Sequence, residues 1–204
     1  EKSDGTTITY DYDASGNRIQ KEVFSGGNKN FTYYIRDAQG NAISVYSWFG
    51  SSPVAAAEGL GVVGQKWDEQ QLYGSSRLGM WRPNITVPGT LNPTTDAVQV
   101  GSKLYELTNH LGNVMATISD NKVAVLVSGS PEVVNYYKAE VISASDYTPF
   151  GMKMVGRTFN GSAYRYGFNG KENDNEVKGV GNQQDYGMRI YDARLGKFLS
   201  VDPL

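Results

Sequence analysis

Residues 10–19 read YDYDASGNRI, and the same pattern returns as YYIRDAQGNAI at residues 33–43 and as YELTNHLGNVM at residues 105–115. Each copy has an aromatic residue, a short polar turn that starts with Asp or Asn and ends in Gly, and then alternating apolar and polar residues. An Asp or Asn at the start of a turn accepts a hydrogen bond from the backbone two residues on, and Gly takes positive φ without steric cost. The pattern therefore predicts antiparallel hairpins joined at these turns.

Weaker copies of this pattern are centred on Gly79, Gly151 and Gly196. The clear and weaker copies together predict these turn residues: Asp13, Gly16, Asp37, Gly40, Asn109, Gly112, Gly151, Asp192 and Gly196. One hairpin alone is marginal in water, so we expect successive hairpins to pair edge to edge in an all-β fold. An ordinary antiparallel sandwich with Asx-Gly turns is the alternative, because sandwiches also show turn signals at short spacing.

The composition agrees with a turn-rich β protein and excludes several classes of function. The 204 residues include 24 glycines and 14 tyrosines, no cysteine and one histidine, and the net charge is −2. The lack of a basic excess argues against nucleic-acid binding, and the lack of cysteine excludes disulfides and thiolate metal sites. The longest apolar run, residues 123–127, is far shorter than a membrane span, so we expect no membrane insertion. We also expect no cofactor.

The chain divides by composition into four segments. Residues 1–49 hold repeat hairpins, and residues 50–104 form a loop-rich insertion with some strands. Residues 105–185 hold degenerate repeat hairpins, and residues 186–204 carry a distinct motif. The chain starts without a methionine and stops directly after Asp-Pro-Leu, so we expect it to be a piece of a longer polypeptide.

Two stretches carry a family likeness. Residues 12–18, YDASGNR, look like a YD repeat, the unit of rearrangement-hotspot (Rhs) proteins. Residues 186–204, YGMRIYDARLGKFLSVDPL, resemble the start of the Rhs repeat-associated core domain, with Ala193 where the family more often has proline. Residues 109–113 and 147–151 also resemble segments that precede that core in bacterial members.

The resemblance implies part of a β-shell. In Rhs proteins, toxin-complex C subunits and teneurins, the hairpins form a curved, spiralling sheet around a cavity. In the bacterial polymorphic toxins the shell encloses a carboxy-terminal effector. The implied partners are that effector and the remaining YD repeats of the parent chain, with secretion machinery or a cell-surface glycan or protein as further candidates. The implied location is secreted or on the surface of a bacterium.

The resemblance also implies one candidate reaction, aspartyl autoproteolysis. Asp202 falls where the family has its first catalytic Asp-Pro, and Arg189 matches an arginine associated with that site. The mechanism needs two carboxylates that share a proton, and in the family the second aspartate lies downstream of this motif. This sequence ends at Leu204, so we expect these 204 residues to be non-enzymatic, with autoproteolysis confined to a longer parent chain.

Three other features are candidate binding sites. Trp48, Trp67 and Trp81 lie in or beside the loop-rich insertion and could hold a sugar ring or a protein, although aromatic residues also serve to cover a sheet. This cluster supports a second hypothesis, a cell-surface adhesion or glycan-binding module. His110 fits a solvated turn better than a general base. Residues 171–176, KENDNE, lack the spacing of a calcium loop and predict a solvated hairpin tip.

Overall fold

The computed structural model describes residues 5–50, 64–87, 99–161 and 163–201. The chain divides into two compact units, unit 1 at Glu1–Gln99 and unit 2 at Val100–Leu204. Strands dominate both units, which confirms the all-β class. No helix among the described ranges is long and apolar enough to cross a membrane.

Unit 1 is a sheet whose strands pair in chain order. Its strands are β1 (Thr7–Tyr12), β2 (Arg18–Ser25), β3 (Asn28–Arg36), β4 (Ala42–Gly50), β5 (Gln65–Tyr73), β6 (Arg77–Trp81) and β7 (Ile85–Val87). Each strand from β1 to β6 pairs antiparallel with the next, and β7 pairs with β5 beside β6. This succession confirms the predicted antiparallel hairpins and differs from the Greek-key order of a sandwich.

Unit 2 combines long hairpins with a small second sheet. The long strands are β8 (Lys103–Thr108), β9 (Val114–Val127), β10 (Ser130–Tyr147) and β11 (Lys153–Phe159), again paired antiparallel in chain order. The small sheet contains β12 (Glu172–Asn173), β13 (Gln183–Asp185), β14 (Ile190–Asp192) and β15 (Lys197–Phe198). A 3-10 turn at Phe168–Gly170 precedes this sheet, and the helix α1 (Asn175–Lys178) follows β12.

Aromatic side chains pack neighbouring strands together. In unit 1, Tyr46 of β4 stacks on Trp67 of β5 with ring centroids 6.2 Å apart, and the two residues are cross-strand partners. Phe31 of β3 contacts Trp48 of β4 in the same way. In unit 2, Tyr191 and Phe198 are also cross-strand partners in contact. Cross-strand aromatic pairs of this kind stabilise a sheet by about 0.2–1 kcal/mol each.

One predicted turn glycine is wrong. Gly79 lies inside β6, opposite Leu72, and the β5–β6 hairpin turns instead at Gly74, whose N–H bonds to the carbonyl of Ser76. The physical reason is that the chain reverses earlier, since Tyr73 and Arg77 are already cross-strand partners. Gly79 therefore continues strand β6 and does not close a turn.

Candidate functional site

The feature that recurs through both units is a five-residue turn. In residues 13–17, the N–H of Gly16 donates to the carbonyl of Asp13 (3.0 Å), and the N–H of Asp13 donates to the carbonyl of Asn17 (2.9 Å). The carboxylate of Asp13 accepts from the N–H groups of Ser15 (2.9 Å) and Asn17 (2.8 Å). Gly16 has φ +78°, so the turn needs a residue without a side chain at this position.

The same hydrogen bonds return in three further turns. They start at Asp37, Asn109 and Thr148, and in each the fourth residue is a glycine with φ between +79° and +87°. Asp37 and Asn109 each accept two backbone hydrogen bonds through the side-chain oxygen, while the Thr148 hydroxyl accepts one from the N–H of Met152. Asp, Asn and Thr therefore serve the same structural role.

Hydrogen bonds lower the pKa of the two half-buried turn aspartates, Asp13 and Asp37. For Asp13 the largest cause is the N–H of Asn17, and for Asp37 it is the side-chain amide of Asn41. Both carboxylates therefore stay ionised at neutral pH, as hydrogen-bond acceptors and not as proton donors. These turns shape the backbone and carry no acid–base chemistry.

The fifth turn, at Asp192, is one residue longer and is held by charge. The N–H groups of Leu195 (3.2 Å) and Gly196 (2.9 Å) both donate to the carbonyl of Asp192. Its carboxylate is fully buried and accepts from Lys178 Nζ (2.7 Å) and Arg194 Nη2 (3.0 Å). The hydrogen bond from Arg194, helped by Lys178, holds the pKa of Asp192 well below its usual range. This ion cluster ties α1 to the β14–β15 turn.

Three turns of unit 2 are joined through aromatic side chains. Tyr147, just before the Thr148 turn, donates its hydroxyl to the carbonyl of Val114 (2.7 Å), just after the Asn109 turn. Tyr191, just before the Asp192 turn, donates its hydroxyl to the carbonyl of Phe150 (3.0 Å) within the Thr148 turn. The 3-10 turn also takes part, since the N–H of Asn169 donates to Asn113 Oδ1 (2.8 Å). The tips of these turns therefore lie side by side.

A cavity of about 280 Å³ lies between two of these turns. It is lined by Asn109, Leu111, Asn113, Met115, Tyr147, Thr148, Pro149 and Phe168. Tyr147 is its one titratable side chain, and burial raises the pKa of that hydroxyl to about 12. A cavity with such a lining can bind an apolar group but holds no acid or base for catalysis at neutral pH.

Of the two residues carried over from the autoprotease motif, Arg189 lies within the described part of the chain. The guanidinium of Arg189 lies over the ring of Phe198, 4.0 Å from its centroid. Asp202 lies outside the described residues. Arg189, just before β14, thus makes a cation–π contact with Phe198 of β15.

The three tryptophans belong to the sheet of unit 1. Trp48 is buried against Phe31, with 8% of its surface exposed. Trp67 and Trp81 are half-buried and meet edge to face, with ring centroids 5.4 Å apart. Trp67 Nε1 donates to the carbonyl of Glu69 (3.1 Å). The indoles contribute to packing between strands, and Trp48 exposes too little surface to hold a sugar ring.

The two remaining sequence signals have different outcomes. His110 is exposed at the tip of its turn. The solvated hairpin tip predicted at residues 171–176 is wrong, because Glu172, Asn173 and Asp174 are buried, and the first two form β12. The sequence concealed this burial because the partners come from distant residues, such as Arg165, which pairs with Glu172 at 3.0 Å. Within the described residues, no cluster of acidic or histidine side chains is suited to hold a metal ion.

Sequence reasoning missed the residues that hold the turns from outside. Lys178 lies 14 residues from its partner Asp192, and Tyr147 lies 33 residues from Val114. A side chain that acts at such a separation leaves no local pattern. One available signal was the Tyr immediately before the residue that opens the turn, which occurs at Tyr12, Tyr147 and Tyr191.

Comparisons with known proteins support the fold and do not establish a family. The chain is 26% identical over 203 residues to Salivary gland surface protein 1 of Aedes aegypti. Its fold is similar to the crystal structure of TcdB2-TccC3, with a TM-score of 0.60 and 15% identity over the whole of this chain. The crystal structure of TcdB2-TccC3 without the hypervariable C-terminal region gives a TM-score of 0.59 at the same identity. No protein-family model matches the sequence.

These relatives are much longer than this chain. The match to the mosquito protein covers 97% of this chain but 5% of that relative. It spans 8% of the chain in each of the two TcdB2-TccC3 structures. The chain is thus a succession of antiparallel β-hairpins that matches a small part of these longer chains.

Proposed function

We propose that this chain is a structural, non-enzymatic segment of an Rhs/YD-repeat protein of the toxin type. It forms part of the wall of a β-shell that encloses or presents a carboxy-terminal effector. The observation that carries the proposal is the single turn geometry at Asp13, Asp37, Asn109 and Thr148, which joins consecutive antiparallel strands. The similarity of fold to TcdB2-TccC3, a toxin complex built from Rhs/YD repeats, supports it.

The proposal assigns a role to each segment of the chain. Residues 1–49 and 105–185 supply wall hairpins, residues 50–104 are an insertion between them, and residues 186–204 begin the core domain. The edge strand β1 pairs with β2 on one side, so we assign its other edge to a preceding repeat of the parent chain. The remaining repeats and the effector are therefore the expected partners, and the parent protein is expected to be exported from a bacterium.

Protection of the effector from proteolysis tests this function. The longer polypeptide that contains these 204 residues is treated with trypsin, and the lifetime of the segment after Leu204 is compared with that of the same segment expressed alone. Because a shell excludes the protease, we expect the enclosed segment to survive at least about tenfold longer. Equal digestion of the two forms would refute the enclosing shell.

The autoprotease hypothesis has a separate test. A polypeptide extended past Leu204 is incubated with and without Asp202→Asn. Cleavage that the substitution abolishes would make Asp202 a catalytic residue of the parent chain. Equal cleavage in both rules Asp202 out, and absence of cleavage in both supports a purely structural segment.

A second candidate function is adhesion at a cell surface. The similarity to a protein named as a salivary gland surface protein favours it. Under this hypothesis a glycan array should detect binding that is weakened by Trp81→Phe, since Trp81 is half-buried beside Trp67. No binding to any glycan would dismiss the glycan-binding form of the hypothesis.

A further inference from the structure

The hairpin of β9 and β10 extends beyond both of its neighbouring strands in unit 2. Strand β8 pairs with β9 as far as Ser119, and β11 pairs with β10 from Ala144 onward. Between these limits the two strands pair with each other until Val127 and Ser130 at the tip. We call residues 120–143 the β9–β10 arm. At 3.3 Å per residue, its free part is roughly 25 Å long.

The arm exposes apolar side chains on both strands. In β10, Val133 is 50% exposed, Tyr136 is 55% exposed and Tyr137 is 60% exposed. Leu126 and Val127 are exposed on β9. A two-stranded hairpin is marginally stable in water, and a strand added along its edge extends the sheet. A partner strand along the arm would therefore stabilise it.

One edge of the arm is open to another strand. Among the described residues, β10 pairs with β9 on one side, and its other edge is unpaired over residues 130–141. This free edge ends at Ile142, whose carbonyl accepts a hydrogen bond from Asn160 Nδ2. Unpaired N–H and C=O groups of an edge strand are a template for strand addition. Two irregularities interrupt the pairing of β10 with β9 along this stretch: residues 131–133 lie between the pairs Ser130–Val127 and Val134–Leu126, and Asn135 lies between Val134 and Tyr136.

The charges along this edge fit a second copy of the same strand. Residues 130–141 contain three charged side chains: Glu132 and Lys138 are exposed, with Val-Val-Asn-Tyr-Tyr between them, and Glu140 accepts a hydrogen bond from the hydroxyl of Ser119. In an antiparallel pair of copies centred on Asn135, Glu132 of each copy lies opposite Lys138 of the other. The two valines between them then lie opposite the two tyrosines. A parallel pair would place like charges together. Opposite charges and Val–Tyr pairs across strands are both stabilising.

We infer that the β9–β10 arm is a dimerisation element, in which the free edge of β10 pairs antiparallel with the same edge of a second copy. The interface is isologous, since each copy supplies the same residues, and it closes at two copies. Each copy then pairs with the unpaired N–H and C=O groups of the other, and the valines of one copy lie beside the tyrosines of the other on the faces of the joined sheet. This inference is independent of the proposed shell, because it concerns a hairpin that extends beyond its neighbours.

Charge reversal on the 204-residue chain tests the inference. Analytical ultracentrifugation over a concentration series should show a dimer. Because each reversal converts two attractive pairs into two repulsive ones, Glu132→Lys or Lys138→Glu should raise the dissociation constant at least about tenfold. The variant carrying both changes should recover the parent value, as should an equimolar mixture of the two single variants. Lys122→Glu, an exposed reversal on β9, is the control and should leave the dimer unchanged.

Each contrary result would overturn the inference. A monomer at every concentration would leave the arm to a different occupant, such as a strand of another polypeptide. A dimer that survives both single reversals would place the interface elsewhere, as would single variants that neither the combined change nor mixing restores. Circular dichroism of each variant checks that the fold is intact, so a loss of dimer cannot be assigned to unfolding.

Discussion

The turns of units 1 and 2 share one backbone geometry but differ in what holds them. In unit 1 the residues before the turn glycines are polar, Ser15 and Gln39, and neighbouring turns touch through polar side chains. Arg36, for example, donates from Nε to the carbonyl of Arg18 (2.8 Å). In unit 2 the equivalent residues are Leu111 and Phe150, both exposed, and aromatic side chains join the turns.

The shape of a turn and its attachment, meaning the contacts that hold it against neighbouring turns, therefore depend on different residues. Five consecutive residues determine the shape, so Asp, Asn and Thr are interchangeable in the first position. The attachment depends on remote residues such as Tyr147, Phe168 and Lys178. Matched substitutions at equivalent turn positions should therefore have unequal effects on the free energy of unfolding. All three tryptophans lie in unit 1, so their fluorescence reports on that unit, whereas hydrogen exchange reports on each unit separately.

The largest effect is expected from alanine at the turn glycine of the Thr148 turn. A Cβ at Gly151 would lie 2.4 Å from the ring of Phe168, and its φ is +87°. At Gly112, which has φ +79°, an added Cβ would meet no atom within 4 Å. At Gly40 an added Cβ would lie 2.8 Å from the side-chain amide oxygen of Asn17. We expect a loss of about 3 kcal/mol for Gly151→Ala, about 1–2 for Gly40→Ala and about 1 for Gly112→Ala. Denaturant unfolding measures all three, and equal losses would contradict the assigned contact with Phe168.

The next effect separates the two kinds of turn aspartate. Asp192→Asn keeps the turn acceptor but removes the charge that pairs with Lys178 and Arg194, so we expect a loss of about 2 kcal/mol at pH 7. Asp13→Asn should cost less than about 0.5 kcal/mol, because Asn109 makes the same turn. The pKa of Asp192 is lowered in the folded state, so its contribution is present above about pH 4 and is lost as the pH falls further. The Asp192 variant and the parent chain should then converge in acid.

Removing one tyrosine hydroxyl should loosen one junction between turns. Tyr147→Phe leaves the carbonyl of Val114 without its donor, and we expect a loss of about 1 kcal/mol. Hydrogen exchange should accelerate at the Asn109 and Thr148 turns and stay unchanged in unit 1. Unchanged exchange at both turns would show that the hydroxyl does not join them. Tyr105→Phe, at an exposed tyrosine of β8, is the matched control.

The smallest effect concerns Lys153 of unit 2. Its Nζ donates to the carbonyl of Gly161, its stem passes Gly181, and burial lowers its pKa to about 8. Because the unfolded chain holds this proton up to a higher pH, stability should rise by about 0.5–1 kcal/mol between pH 8 and 9. Lys153→Met should remove that rise in the unfolding free energy of unit 2. A rise of the same size in the variant would assign it to another group.

The predictable part of the molecule is the part encoded locally. An acceptor at Asp13, Asp37 or Asn109 and a glycine three residues later were sufficient to predict the turns, and alternation in the flanks indicated antiparallel strands. Gly79 was wrongly predicted because the hairpin closes earlier, at Gly74, so that Gly79 lies within β6. The burial of residues 172–174 and the cluster around Asp192 could not be predicted, since Arg165 and Lys178 approach through tertiary packing that no short pattern records.

A structure of the longer polypeptide, determined by electron cryomicroscopy, tests most directly whether these hairpins continue into a larger wall. We expect a further hairpin hydrogen-bonded along the outer edge of Thr7–Tyr12, with the sheet continuing around a cavity that contains polypeptide. An outer edge of β1 that faces solvent, with these 204 residues standing apart as a separate domain, would contradict it.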